Sequence, residues 1–190
     1  RKRVGDGESV PGPIHRLDAP ASGLILVAFS AEAKAHFSEL MREEKIKKSY
    51  LAVVFGHPPV KMQEGFEWQI WRYALENRSC GRDNPAGKKA NRLPAQTSWI
   101  VQKAGKECSL LELKPRHGRI HQIRRHCVLA GFPIEGESRY CSKERASLLK
   151  YRLSFDRLAL HASSLRFCDS AGKEWSFTSP EPPEFEKLLG

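Results

Sequence analysis

The chain has 190 residues, enough for one domain with a substantial core, and its 40% hydrophobic and 28% charged residues are those of an ordinary soluble globular protein. The longest apolar run, Leu24 to Phe29, is too short to cross a bilayer, and no apolar h-region follows the basic N-terminus. Lys and Arg total 32 against 22 Asp and Glu, a net charge of +10, so the surface attracts polyanions: nucleic acid first, an anionic membrane surface second.

Residues 1–13 are basic and rich in Gly and Pro and read as a loop or tail. Leu24 to Phe29 reads as a buried strand. Ser30 then caps a helix with Glu32 in its first turn and an apolar stripe of Ala33, Phe37, Leu40 and Met41. Ile46 to Phe55 is apolar on both faces and is expected at the centre of a sheet. Phe66 to Arg72 alternates like a strand, and Asn77 to Pro94 reads as a polar, basic loop or insertion. Strands follow near Gln96 to Gln102 and Cys108 to Lys114. The turn Pro115 to Gly118 leads into a helix to about Ala130, with Gly131 as its C-cap and Ile120, Ile123 and Cys127 as its buried face. A short amphipathic piece spans Lys143 to Leu153. Strands near Leu158 to Phe167 and Glu174 to Phe177 flank the turn Asp169 to Gly172, and the tail PEPPEF reads as extended. Strands outnumber helices and do not alternate with them, which predicts an α+β fold with a mixed, mostly antiparallel sheet and flanking helices.

Five cysteines, an odd count without C-x-x-C spacing, speak against a disulfide framework or a Cys-rich zinc site. The seven histidines form no HExxH-like pattern, so a metal is not implied. Reduced thiols fit the cytoplasm, or an organelle if a targeting segment precedes the chain.

Three clusters could carry chemistry. His15 to Gly23 (HRLDAPASG) precedes an apolar strand and is constrained by Pro and Gly, so it can hold the Asp18 carboxylate rigidly. Alone, it reads more simply as a turn whose Asp bonds its own backbone. Tyr50, in Lys47 to Val54 (KKSYLAVV), sits in a buried strand and needs a partner or an opening onto a cleft; alone, it reads as a core aromatic. In His117 to His126 (HGRIHQIRRH), Arg119 falls at a helix N-terminus, where the dipole disfavours a cation, so it is expected to face an acid or a phosphate. The plainer reading is a basic, solvated helix face.

In this order the clusters resemble the RluA-type pseudouridine synthase family, including its TruC-like branch. His15 to Gly23 matches H-R-L-D-x-x-T-S-G, Lys48 to Val54 matches K-x-Y-x-A-x-V, and Gly118 to Arg124 matches G-R-x-H-Q-I-R without a gap. Gly131 to Ile134 and Arg157 to Ala162 match further, so the resemblance runs from about His15 to Glu184. It implies the pseudouridine synthase fold over residues 14–190, with a bent sheet. The implied reaction isomerises uridine in tRNA or rRNA, without cofactor or metal, in a monomer that does not enter membranes. The resemblance makes Asp18 the catalytic aspartate, Tyr50 an active-site residue against the base, and Arg119 the partner of Asp18. It gives Arg16 the part of holding the flipped nucleotide. His15, Lys48, His121, Gln122, Arg124 and Arg125 are expected to contact RNA. Ala21 replaces the family's Thr, and Glu137 replaces the Asp of a Gly-Asp pair. Only 14 residues precede His15, where the family has strands and a Lys-Pro motif. These departures leave a second reading open, a catalytically impaired RNA-binding module of the same family.

Overall fold

The computed structural model describes residues 11–59, 68–142, 155, 157–169 and 171–190. The expected amphipathic piece Lys143 to Leu153, the start of the Phe66 to Arg72 strand, and residues 1–10 lie outside them. The strands are Gly12–Pro13 (β1), Ser22–Gly23 (β2), Val27–Ala28 (β3), Lys47–Phe55 (β4), Gln69–Trp71 (β5), Leu75–Glu76 (β6), Arg92–Leu93 (β7), Thr97–Ala104 (β8), Cys108–Pro115 (β9), Leu160–Cys168 (β10) and Glu174–Thr178 (β11). The helices are Ala31–Arg42 (α1), Gln122–Leu129 (α2) and Pro183–Leu189 (α3). This is the α+β architecture read from the sequence. The main sheet runs β11-β10-β4-β9-β8-β5, antiparallel throughout, and β2 joins β10 in parallel.

The apolar run of β4 explains its place. Ala52, Val53 and Val54 are fully buried, and β4 pairs with β9 on one side and β10 on the other. Leu110, Leu111, Leu113, Cys127 and Phe185 are among the residues that join them in the main core. Ser30 caps α1 as expected, its hydroxyl accepting the Ala33 amide at 3.1 Å. Phe37, Leu40 and Met41 of α1 cover Ile46, Leu165 and Phe167.

Two expectations are corrected. Leu24 to Phe29 is not a buried strand: Leu24, Leu26 and Ala28 face inward while Ile25, Val27 and Phe29 face out, Phe29 being 72% exposed. The run lies over one apolar cluster only, so it buries one face. The tail is not extended, because Pro183 opens α3, whose first turn carries Glu184 and Glu186 and which buries Phe185, Leu188 and Leu189. Proline at the first helical position gives up no intrahelical bond, and acids there suit the dipole. The Asn77 to Pro94 segment is mostly turn and loop, as expected, and it is anchored. β6 and β7 pair, and the buried Glu76 carboxylate accepts the Lys88 amide at 2.9 Å and the Asn91 side chain at 3.0 Å.

Helix α2 is buried nearly all round, with Gln122, Ile123, Arg124, Arg125, His126 and Cys127 all covered. His126 donates through Nε2 to the Tyr73 carbonyl at 3.0 Å, and burial pushes its pKa down to about 4 from an ordinary 6.5. Below pH 6.5 the unfolded chain takes up this proton and the folded chain does not. Stability contributed by His126 is therefore complete above pH 6.5 and lost as pH falls toward 4. The loss reaches about 3 kcal/mol. Urea unfolding at pH 7, 5.5 and 4 should show His126→Gln losing less stability on acidification than the wild type.

Candidate active site

The Asp18 loop is braced on both sides. The Ala21 amide donates to the Asp18 carbonyl at 2.8 Å, closing a turn before β2. Upstream, His15 Nε2 accepts the Leu26 amide at 3.1 Å. Downstream, the Ser22 hydroxyl meets His161 Nδ1 at 2.9 Å and accepts Arg157 Nη1 at 3.1 Å, and Arg157 also holds Glu184 of α3. Gly23 lies at φ +109°, and a Cβ there would stand 2.3 Å from the Ala162 carbonyl oxygen, so only glycine lets β2 lie against β10. The substitution at Ala21 leaves the turn intact, because its backbone makes the turn contact.

The loop opens onto a cavity of about 340 Å³, within the range of small-molecule sites. Its lining includes His15, Arg16, Asp18, Lys48, Tyr50, Arg119, His121, Gln122 and Arg124, so the three sequence clusters converge there. Tyr50 comes from the middle of β4. Its hydroxyl is pushed up to about 12, by burial first and by the Asp18 charge second, so it stays protonated at neutral pH. Burial lowers the pKa of the Lys48 ammonium in the same wall. His15 is held below the usual histidine range, by burial and then by the charge of Lys48. Arg16 is exposed at the cavity.

The partner of Asp18 is a correction. Arg119 lines the cavity, but its Nε donates to the Pro94 carbonyl at 3.4 Å. Asp18 instead receives Arg124 Nη1 on Oδ2 at 3.3 Å, and His121 Nε2 lies 3.6 Å from Oδ1. The cause is local backbone geometry. His121 is left-handed at φ +52°, so α2 begins only at Gln122 and Arg119 falls outside it. Arg124, one turn into the helix, points back at the loop.

Glu137 fixes Arg124 from behind. Its side chain is fully buried and takes Arg124 Nε at 2.6 Å and Nη2 at 2.8 Å, a fork that leaves Nη1 for Asp18. The same carboxylate accepts the amides of Arg139 and Tyr140 at 2.8 and 3.1 Å. Burial acts to lower the Arg124 pKa, but Glu137 and then Asp18 outweigh it and raise the value above that of a free arginine. Glu137, noted in the sequence only as a departure, thus does the work of holding a cation. Tyr140 carries no signal in its polar segment, yet it is buried, and its hydroxyl lies 2.7 Å from His121 Nδ1.

Two expected RNA contacts point elsewhere. Arg125 is fully buried and donates to the carbonyls of Glu76, Pro85, Ala86 and Ile120, clamping the 77–94 segment to α2. Several main-chain carbonyls needed a donor there, and a guanidinium supplies five N–H groups in one plane. Gln122 borders the cavity, but its amide donates to the Gln96 carbonyl and Thr97 Oγ1 and accepts the Arg119 amide, so it ties α2 to β8. Among the described residues no cluster of three His, Cys, Asp or Glu could hold a metal, and no helix is long and apolar enough to cross a membrane.

Residues 1–128 match the family model described as RNA pseudouridylate synthase. The ribosomal large subunit pseudouridine synthase C of Vibrio parahaemolyticus is 32% identical over 184 residues, covering 93% of this chain and 53% of that protein. The tRNA pseudouridine synthase C of the same organism is 29% identical over 160 residues, covering 82% of this chain and 65% of that protein. The chain thus spans about half to two-thirds of the length of these relatives. Human RNA Pseudouridylate Synthase Domain Containing 1 superposes with a TM-score of 0.73 at 26% identity, over 91% of this chain and 70% of that one.

Proposed function

The chain belongs to the RNA pseudouridylate synthase family, and on that premise we propose that it isomerises a uridine of structured RNA to pseudouridine, with Asp18 as the essential carboxylate. One observation carries the proposal. Asp18 borders a cavity of nucleotide size with a separate cationic or polar side chain addressing each of its oxygens and a protonated tyrosine in the same wall.

The reaction breaks N1–C1′, joins C5 to C1′, releases the C5 proton and returns a proton to N1. It is redox-neutral, so it needs no cofactor and no metal. Cleavage of the glycosidic bond builds positive charge on the sugar, which an ionised carboxylate stabilises or captures. Arg124 favours that ionised form and orients it. Tyr50 presents an aromatic face to the uracil. A base in a helix is out of reach, so the nucleotide flips out at a cost of a few kcal/mol, and the exposed Arg16 stands where it can hold the vacated stack or the phosphate. The RNA we propose is rRNA or tRNA, in keeping with the names of the relatives. Against the impaired-module reading, Ala21 keeps the turn at Asp18 and Glu137 keeps Arg124 in place.

Release of tritium from RNA labelled at uridine C5 tests the proposal. Wild-type protein should release it with and without EDTA. Salt-dependent RNA binding with no release would overturn the proposal in favour of a binding module, and loss on chelation would overturn the metal-free chemistry.

A further inference from the structure

We infer that Tyr140 is a positioning residue that donates to His121 Nδ1 and so holds the ring with its Nε2 N–H aimed at Asp18. This rests on the reading of Asp18 as the essential carboxylate. Tyr140 lies 2% exposed behind the cavity wall, and its hydroxyl is 2.7 Å from His121 Nδ1. The other ring nitrogen, Nε2, is 3.6 Å from Asp18 Oδ1. Arg124 takes Oδ2, so the imidazole addresses the oxygen that the guanidinium leaves.

The tautomer follows from the neighbours. Doubly protonated imidazolium is disfavoured, because burial, Arg124 and Arg139 together outweigh the opposing pull of Asp18 and Glu137. One proton then remains on the ring. A carboxylate is the stronger acceptor, so the proton belongs on Nε2, facing Asp18. Nδ1 is left as an acceptor, and the phenol donates to it. With the opposite tautomer, a bare Nε2 lone pair would face a carboxylate, which is repulsive.

The backbone supports this arrangement. His121 sits at φ +52°, a conformation that non-glycine residues seldom adopt and that costs on the order of 1 kcal/mol or more. That geometry ends the preceding turn and directs the ring between Tyr140 and Asp18. A hydrogen bond on the far nitrogen governs how a histidine presents its near one, and losing such a partner typically weakens function by about 10- to 100-fold where the histidine serves a metal.

The test combines kinetics with nitrogen-15 NMR of the imidazole. In the wild type without RNA, His121 should carry its proton on Nε2. In Tyr140→Phe, which keeps the aromatic ring and its packing, the proton should stay on Nε2 but the imidazole, no longer held at Nδ1, should lose its fixed orientation toward Asp18. The kcat for tritium release should fall by about tenfold, with KM for RNA within about twofold. A protonated Nδ1 in the wild type overturns the inference whether or not the protein turns over RNA, and it needs no variant. A Tyr140→Phe protein with wild-type kcat, even at lowered Tm, also overturns it and leaves Tyr140 a packing residue. Absence of tritium release from the wild type would instead count against the reaction itself, and the tautomer measurement would still decide the role of Tyr140.

Discussion

Asp18→Asn should abolish tritium release while leaving RNA affinity within about threefold of the wild type. The side chains are nearly the same size, so the loop held by Ala21, His15 and Ser22 is not disturbed. What disappears is the charge. An amide cannot capture or balance the positive sugar, and losing one such electrostatic group typically costs about 10²–10³ in rate; here the same group also serves as the reacting atom in any covalent route. On the proposed function, affinity would come chiefly from phosphate contacts at the cavity rim, with the exposed Arg16 as a candidate, and the Asp18 charge would repel phosphate. Single-turnover release and filter binding on one labelled RNA separate the two quantities. Release at a tenth of the wild-type rate or more would remove Asp18 from the chemistry. A large fall in affinity would assign it to binding.

The convergence of the three clusters was legible only through the family resemblance, whereas β4 is central for the reason its apolar run suggests. The partner of Asp18 was not legible. Arg119 and Arg124 are both cations in one short segment, and the choice turns on a left-handed His121, which no side-chain pattern announces. Arg125 failed for a different reason. An Arg-Arg-His run normally marks a solvated face, but here unpaired carbonyls of a segment some 40 residues earlier draw the guanidinium inward. Those carbonyls carry no sequence signal. The tail does carry a sequence signal: Pro183 followed by Glu184 and Glu186 is a helix start. The hydrophobic run Leu24 to Phe29 suggests two-sided burial, although length and composition cannot separate that from a half-covered strand.

Glu137→Ala should be the most destabilising single change near the site, and it should also remove activity. Arg124 is 7% exposed and Glu137 fully covered, so the truncation strands a guanidinium without water and takes the acceptor from two backbone amides. Breaking one side of such a pair costs about 3–5 kcal/mol, whereas replacing both partners with apolar side chains of similar volume is often close to neutral. Stability and catalysis should therefore part company in the double variant Arg124→Met with Glu137→Leu. Unfolding free energy should return most of the way to wild type, while tritium release stays absent, because the group that orients Asp18 is gone. Glu137→Asp keeps the charge but withdraws it by one methylene, and it should fall between wild type and Glu137→Ala in both measurements. Urea unfolding and release assays on the four proteins decide the matter. A double variant that regains activity along with stability would show that Glu137 and Arg124 only hold the fold together, and that Asp18 is oriented by His121 alone.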